Sequence, residues 1–508
     1  MKKLLSVLLC TALLVVCFAG CATEKPSDTT AGTTSGSNDT TAANQPTEGE
    51  LEPVHLVLYM NQTTGTGDAD IAAAVNELEA VKALNVTVEF VTVPQGDKFD
   101  SKLELALASG EPCDIIVADY GDPFLNHARD GAYADLTDLL DSKYTLLKDT
   151  LTPEHWQSAS IDGRVYGVPT YKEVCNDWGF FMSGDFVEEK GLDLSNRNLF
   201  NIDDILQALK DDGRATFQLT YSQVEFFNSI NAHNNYVDIG AGYYGRVPYA
   251  DPSTVVNYYA SEDFRNLCHK TREWYQNGLI AADILTKENY NVEESDPELF
   301  GLRITNHAPL AELNYQAGRG FAIDYLQLSP STSTLAQPGW VTAINAQCEN
   351  IDRALAFLEV WNTNPDVKNT ITYGVEGVNY DLVDGFVDWT NYPDHSDVWH
   401  GDNSRLGNML ISYPAVGMPE TGYQAYAEAG KTARAVPNIG FQFDRTNVQN
   451  EFTACGEVCT EYVPLLLTGT VEDVDGTIDE LLSKLEKAGV QKIYDEAQAQ
   501  WDAFYNAK

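Results

Sequence analysis

Ile161-Asp162-Gly163-Arg164-Val165-Tyr166-Gly167-Val168-Pro169-Thr170-Tyr171 is the stretch on which the reading of the fold turns. Asp162-Gly163 between β-formers predicts a tight hairpin, because glycine accepts the positive φ such turns require. Val165, Tyr166 and Val168 then read as a short strand. Gly167 loosens that strand, and Pro169 ends its ladder by withholding an N–H. An Asp-Gly turn followed by a stiff, Pro-terminated strand suits a passage from one domain into another, and it equally suits a surface hairpin. The flanking sequence has to decide.

Upstream, Val54-His55-Leu56-Val57-Leu58-Tyr59-Met60 is mostly apolar, as a strand covered on both faces would be. After a polar loop over 61–70, Ile71, Val75, Leu78 and Val81 share one helical face. Val86 to Val93 is the next strand, Phe99 to Ser109 a helix stopped by Gly110, and Asp114 to Ala118 a third strand. That strand delivers Asp119-Tyr120-Gly121-Asp122 into a loop. Alternating strands and helices predict a parallel sheet with covering helices. Ligands of such sheets sit beyond the carboxyl ends of the strands, which brings Tyr59, Asn61, Gln62, Tyr120 and Asp122 near a candidate site.

At 508 residues the chain exceeds what one core usually organises, so two large domains are expected. The balance of 32 Lys+Arg against 75 Asp+Glu gives a formal net charge of -43. Phosphate backbones and anionic lipid surfaces repel such a chain, and no nucleic-acid partner is expected. Residues 1–20 read as an export signal, with Lys2 and Lys3 before an apolar run from Leu4 to Phe18 that is short for a membrane span. Phe18-Ala19-Gly20-Cys21 resembles a bacterial lipobox, which implies lipidation of Cys21. Residues 21–52 then form a Thr/Ser-rich flexible tether. Of nine Cys, six lie beyond Cys21, with no C-x-x-C spacing, and read as buried thiols; no disulfide pair is chosen by the sequence.

Several segments carry a family resemblance. Asn85-Val86-Thr87-Val88-Glu89, Leu107-Ala108-Ser109-Gly110-Glu111-Pro112-Cys113-Asp114-Ile115 and Gly131-Ala132-Tyr133-Ala134-Asp135-Leu136 resemble the first lobe of the extracellular solute-binding proteins of ABC importers. Ile161 to Pro169 matches the segment before that family's first crossing between lobes. Tyr373-Gly374-Val375-Glu376-Gly377-Val378-Asn379-Tyr380, Gly440-Phe441-Gln442-Phe443-Asp444 and Asn447-Val448-Gln449-Asn450-Glu451 resemble a lipoprotein subfamily, often labelled LipO, with a distinctive C-terminal domain.

The resemblance implies a two-lobe, type II periplasmic-binding-protein-like α/β fold, each lobe a mainly parallel sheet flanked by helices. Lobe one would take 53–168 and 330–372, and lobe two 169–329 and 373–508, with Gly167 and Pro169 at the hinge. It implies a monomer, tethered by lipid to the outer face of the cell membrane, that captures a polar solute and hands it to an ABC permease. An oligosaccharide is the first expectation. A peptide or another polar solute, or a secreted carbohydrate-active hydrolase, remains open.

No H-E-x-x-H, P-loop or G-x-S-x-G motif is present, and no cofactor, metal or catalytic residue is assigned. Asp394, His395, Asp397 and His400 read as a polar loop. Asp473-Val474-Asp475-Gly476 fails as a calcium loop, because Val471 and Leu482 stand where carboxylates are needed. Thr477-Ile478-Asp479-Glu480 reads as a capping box opening a helix. A sugar cleft wants aromatic surfaces and polar acceptors. The candidates near strand ends or crossings are Tyr59, Asn61, Tyr120, Asp122, Tyr171, Trp178, Trp340, Tyr373 and Glu376, with Trp178 and Trp340 foremost. Trp156, Trp274, Trp361 and Trp501 sit in helical patterns and are expected in the core.

Overall fold

The computed structural model describes residues 51–62, 67–94, 98–214, 225–286, 296–336, 338–392, 399 and 401–507. Cys21 and the polar loop containing Asp394, His395, Asp397 and His400 lie outside these residues. The first sheet has five strands in the order Val86–Pro94, Val54–Gln62, Ile115–Asp119, Trp340–Ile344, Gly167–Pro169. Its first three strands are parallel, as the strand–helix alternation predicts. Trp340–Ile344 returns from far along the chain and pairs antiparallel with Ile115–Asp119 and with Gly167–Pro169. Both faces are covered, so the period of two along each strand sorts residues into two cores. Leu56, Leu58, Met60, Ile115 and Val117 enter one core, and Tyr59, Ile116 and Ala118 the other.

The second sheet departs from the expected parallel arrangement. Cys175–Ser183 is its centre, and Leu302–His307, Ile323–Gln327 and Thr332–Ser333 all pair with it antiparallel. Leu302–His307 and Ile323–Gln327 run in the same direction and are joined by the helix Ala311–Arg319, the helical crossover that parallel strands require. The long strand arriving from the first sheet is inserted between them, and this converts every pairing to antiparallel. Its core gathers Phe180, Met182, Phe227 and Trp274 with Leu466, Leu481 and Ile493 of the C-terminal helices Gln449–Leu467, Val474–Ala488 and Val490–Tyr505. The stretch after Tyr373, assigned by sequence to lobe two, is split. Trp399 and Leu406 pack in a core of the first sheet, where Trp399 lies 5.9 Å from the Phe90 ring and donates to Ile371 O at 2.9 Å.

The opening hairpin forms, with Ser160–Ile161 paired to Arg164–Val165. Asp162 (φ 51°) and Gly163 (φ 77°) both occupy the left-handed region, as a two-residue type I′ turn requires. The strand expected to continue through Val168 is interrupted at Tyr166: Arg164–Val165 stays in the hairpin, and Gly167–Pro169 joins the five-stranded sheet. Gly167 and Pro169 therefore sit in a sheet, paired with Ala343 and Val341, and the crossing itself begins after Pro169. A Cβ on Gly167 would meet Thr342 O at 3.3 Å and the Phe124 ring at 3.5 Å, so close packing explains this glycine. Among the described residues, three chain passages link the two sheets side by side. They are 170–174, 334–336 with 338–339, and the segment around Arg434, whose N and O bond to Ser331 O and Ser333 N, each at 2.9 Å.

Two further local expectations are settled here. The last-but-one helix starts one turn before the expected capping box, because Asp473 accepts from Gly476 N at 2.9 Å and Thr477 is already inside the helix. Trp156, Trp274, Trp361 and Trp501 are buried as expected, and so are five of the six thiols, Cys459 being half-buried.

Candidate functional site

A cavity of about 440 Å³ opens where the chain passages meet the second sheet. Its floor follows from strand alternation. Along Cys175–Ser183, Asp177 and Phe181 face the helix Ala311–Arg319, while Asn176 and Trp178 face the cavity. Trp178 is held by Phe226, with ring centroids 5.2 Å apart, and its strand partner Asn306 lines the same cavity. The opposite wall comes from the helix Glu225–Asn235 and the hairpin Tyr236–Ala241/Gly245–Pro248, which contribute His233, Tyr243 and Arg246. The strand Thr332–Ser333 adds Thr332, the chain passages add Lys172, Ala336 and Gly339, and the C-terminal segment adds Asn438.

The charges around this cavity are tied up. Arg246 pairs with Asp238 at 3.1 Å and covers the Tyr243 ring at 4.4 Å. Arg434 lies 3.8 Å over the Tyr249 ring and donates to Asn234 O at 2.7 Å. Lys172 pairs with Glu173 at 2.9 Å. Burial, with Arg434 adding to it, pushes the His233 imidazole down to about 4, so it is neutral at pH 7. Its Nε2 lies 3.2 Å from Pro330 O, and it carries the proton and donates there. The Trp178 face, the amides and the Arg246–Asp238 and Lys172–Glu173 pairs suit a neutral polar ligand better than a charged one, which would have to break these pairs.

A second, smaller cavity of about 160 Å³ shares Asp238, Ala336 and Asn438 with the first. Here Tyr120, just past the strand Ile115–Asp119, and Leu125, in the helix that follows, face Phe441, Gln442 and Arg445 of the C-terminal segment. The two cavities together form one cleft between the sheets.

Of the residues singled out from sequence, Trp178 and Tyr120 are in this cleft. Tyr59 is a correction: it is 6 % exposed and packs on Phe99, because its strand is covered on both faces. Tyr171 is buried against His155, with ring centroids 4.6 Å apart, and its backbone pairs with Gly407 and Met409. Tyr373 is a core residue whose hydroxyl donates to Tyr413 O at 3.1 Å. Trp340 packs under Arg405, 4.6 Å away, at the edge of the first sheet's core. Glu376 is exposed in a turn bridged to Tyr380, away from both cavities. Asn61, the last residue but one of the first strand, has a buried Oδ1 without a partner among the described residues, and it lines neither cavity. Asp122 opens the helix Asp122–Arg129, and its side chain lies outside the described residues.

The sequence reading missed Asn306, His233, Tyr243, Arg246 and Asn438. Asn306 was reachable only through its register with Trp178. Asn438 adjoins the Gly440-Phe441-Gln442-Phe443 motif, which in sequence carries a family likeness and no mark of a site.

Among the described residues no helix is long and apolar enough to cross a membrane, and no group of three or more His, Cys, Asp or Glu side chains is placed to hold a metal ion. Residues 437–506 match a domain of unknown function. A carbohydrate ABC transporter substrate-binding protein of Streptococcus pneumoniae is 25% identical over 423 residues, covering 81% of this chain and 83% of the relative. In fold, the chain is similar to the N-glycan transport solute binding protein of Streptococcus pneumoniae, with a TM-score of 0.75 and 22% identity over 90% of this chain and 99% of that one. It is also similar to an HMO-binding solute-binding protein of Bifidobacterium longum infantis, with a TM-score of 0.62 and 14% identity over 90% of this chain and 100% of the other. Residues 62–368, well over half of the chain, match the model for bacterial extracellular solute-binding proteins, and the chain belongs to that family.

Proposed function

We propose that the chain captures an oligosaccharide in the cleft between its two sheets and delivers it to an ABC importer permease without chemically changing it. The observation that carries this reading is the cavity itself. Trp178 offers a flat apolar face, Asn306 and Asn438 offer amides, and the lining ions Arg246 and Asp238 are paired with each other. Sugar rings present apolar faces and a rim of neutral hydroxyls, and this wall matches both. The substrate names carried by the similar proteins, N-glycans and HMO, support the same class. Capture works by differential affinity. A ligand that touches both the Tyr120 side and the second-sheet side of the cleft stabilises the closed arrangement, and one that touches a single side shifts nothing. The chain passages 170–174 and 334–336 with 338–339 are where the backbone would turn. Lipidation at Cys21 would hold the protein at the outer face of the cell membrane, beside its permease.

The test is isothermal titration of the full chain against a panel of mannose- and N-acetylglucosamine-containing glycans, human-milk oligosaccharides, fructo-oligosaccharides and short peptides. Saturable binding of a glycan with no released reducing sugar supports the reading. Preferential peptide binding, or hydrolysis of any panel member, sinks it. Replacing Cys21 by Ala is expected to move the protein from the membrane fraction to the medium, and a lipid-bearing, membrane-bound C21A protein would refute the anchor.

A further inference from the structure

Three residues lining the 160 Å³ cavity carry a buried side-chain atom without a hydrogen-bond partner among the described residues: Tyr120 Oη, Asn438 Oδ1 and Gln442 Nε2. Buried polar atoms are almost always paired, so three orphans around one polar cavity point to something that meets them there. Each is held in place by its neighbours. Tyr120 donates its N–H to Gly339 O at 2.6 Å, and its ring lies 5.2 Å from Phe124. Asn438, 4 % exposed, spends its amide N–H on Asp238 O at 2.8 Å, which leaves Oδ1 as the free atom. Gln442 sits in the Gly440-Phe441-Gln442-Phe443 turn. Gly440 there has φ +83°, which disfavours a side chain, and a Cβ would lie only 3.2 Å from Gln157. Phe441 packs inward on Trp501, with ring centroids 5.1 Å apart. Gln157, from the helix Pro153–Ser158, donates to Ile439 O at 3.1 Å, so the C-terminal segment reaches the first sheet's helices beside this cavity.

The donor and acceptor pattern selects the ligand. Gln442 Nε2 can only donate, Asn438 Oδ1 can only accept, and the Tyr120 hydroxyl does both. A carboxylate would satisfy Gln442 and repel Asn438 Oδ1, and an ammonium would leave Gln442 unmet. Neighbouring hydroxyls, each donor and acceptor, satisfy all three. The nearby charges do not intervene, since Arg445 donates to Gly240 O at 2.8 Å and Asp238 pairs with Arg246. We propose that Tyr120, Asn438 and Gln442 form a subsite that reads a neutral diol of the bound sugar, so that the C-terminal domain of unknown function closes on ligand and first lobe together. The proposal rests on the oligosaccharide reading above, and it makes the C-terminal segment a determinant of specificity.

The experiment uses the full chain and its Tyr120→Phe and Gln442→Leu variants, titrated with the tightest-binding glycan of the panel. Each variant removes an orphan atom and keeps the shape, so the ligand-free protein should melt within about a degree of wild type. Each loses a hydrogen bond to the ligand, so affinity should fall about tenfold. Unchanged affinity in both variants means a cavity filled by water only; that overturns the subsite and leaves the oligosaccharide reading standing. A fall of several degrees in the ligand-free melting temperature assigns these atoms a structural role and also overturns it. If wild type binds no glycan of the panel, the oligosaccharide reading falls and the subsite falls with it.

Discussion

His307 joins the stability of the second sheet to pH, and its contribution can be worked out from its surroundings. It ends the strand Leu302–His307 opposite Asp177, one register position from the pair of cavity residues Asn306 and Trp178. Its Nε2 lies 2.7 Å from Glu312 and its Nδ1 3.6 Å from Asp177, the latter an ion-pair distance and not a hydrogen bond. The ring stacks on Tyr325 at 3.8 Å, and the side chain is only 12% exposed. Burial pulls the imidazole down from its ordinary 6.5, but the Asp177 and Glu312 carboxylates together outweigh burial and leave it raised to about 9. The same contact holds the Glu312 carboxyl below its usual value, which is the other side of one interaction and is not added again. A pKa raised on folding means that the folded state binds the extra proton. The stabilisation is therefore complete below pH 6.5 and is lost as pH rises through about 9. At about 1.36 kcal/mol per pH unit, the gap from 6.5 to about 9 corresponds to about 3 kcal/mol. The assay is urea unfolding of wild type and His307→Gln from pH 6 to pH 9.5. Wild type should lose about 3 kcal/mol more than the variant across this window, since tyrosine, lysine and cysteine ionisation is common to both. Parallel profiles for the two proteins would refute the reasoning. Because Asp177 and Trp178 are adjacent, glycan affinity should weaken over the same range.

Three other outcomes are expected. Trp178→Ala should weaken glycan binding at least about tenfold, while Trp178→Phe, which keeps an aromatic face, should retain most of it; titration calorimetry reads both. Asp473→Ala removes the side-chain cap on Gly476 N and should cost about 1 kcal/mol, with Asp473→Ser close to wild type in urea unfolding. Cys113, Cys175, Cys268, Cys348 and Cys455 are free and buried and should react with a thiol reagent only after denaturation, whereas half-buried Cys459 should react slowly in the native protein, as mass spectrometry would show.

Local order was legible wherever a short stretch contains its own cause. Asp162-Gly163 specifies its turn through positive φ, the apolar runs specify strands, and helical spacing places Trp274, Trp361 and Trp501 in cores. The family motifs give the two-lobe architecture, and Trp178 and Tyr120 were within reach as cleft residues. Tertiary structure alone decided which face of each strand meets ligand. A period of two says that Tyr59 and Met60 point opposite ways. It does not say that both faces are covered, and this is what removes Tyr59, and packing from other segments what removes Tyr171 and Tyr373, from the candidates. The sense of the second sheet was hidden for a related reason, since Cys175–Ser183 is inserted between two strands that lie more than 100 residues later. The cleft polar groups were hidden most completely. Asn438 meets the Asp238 backbone and Arg434 meets Thr332 only after the chain has closed loops of about 200 and about 100 residues, and no local pattern encodes such a meeting.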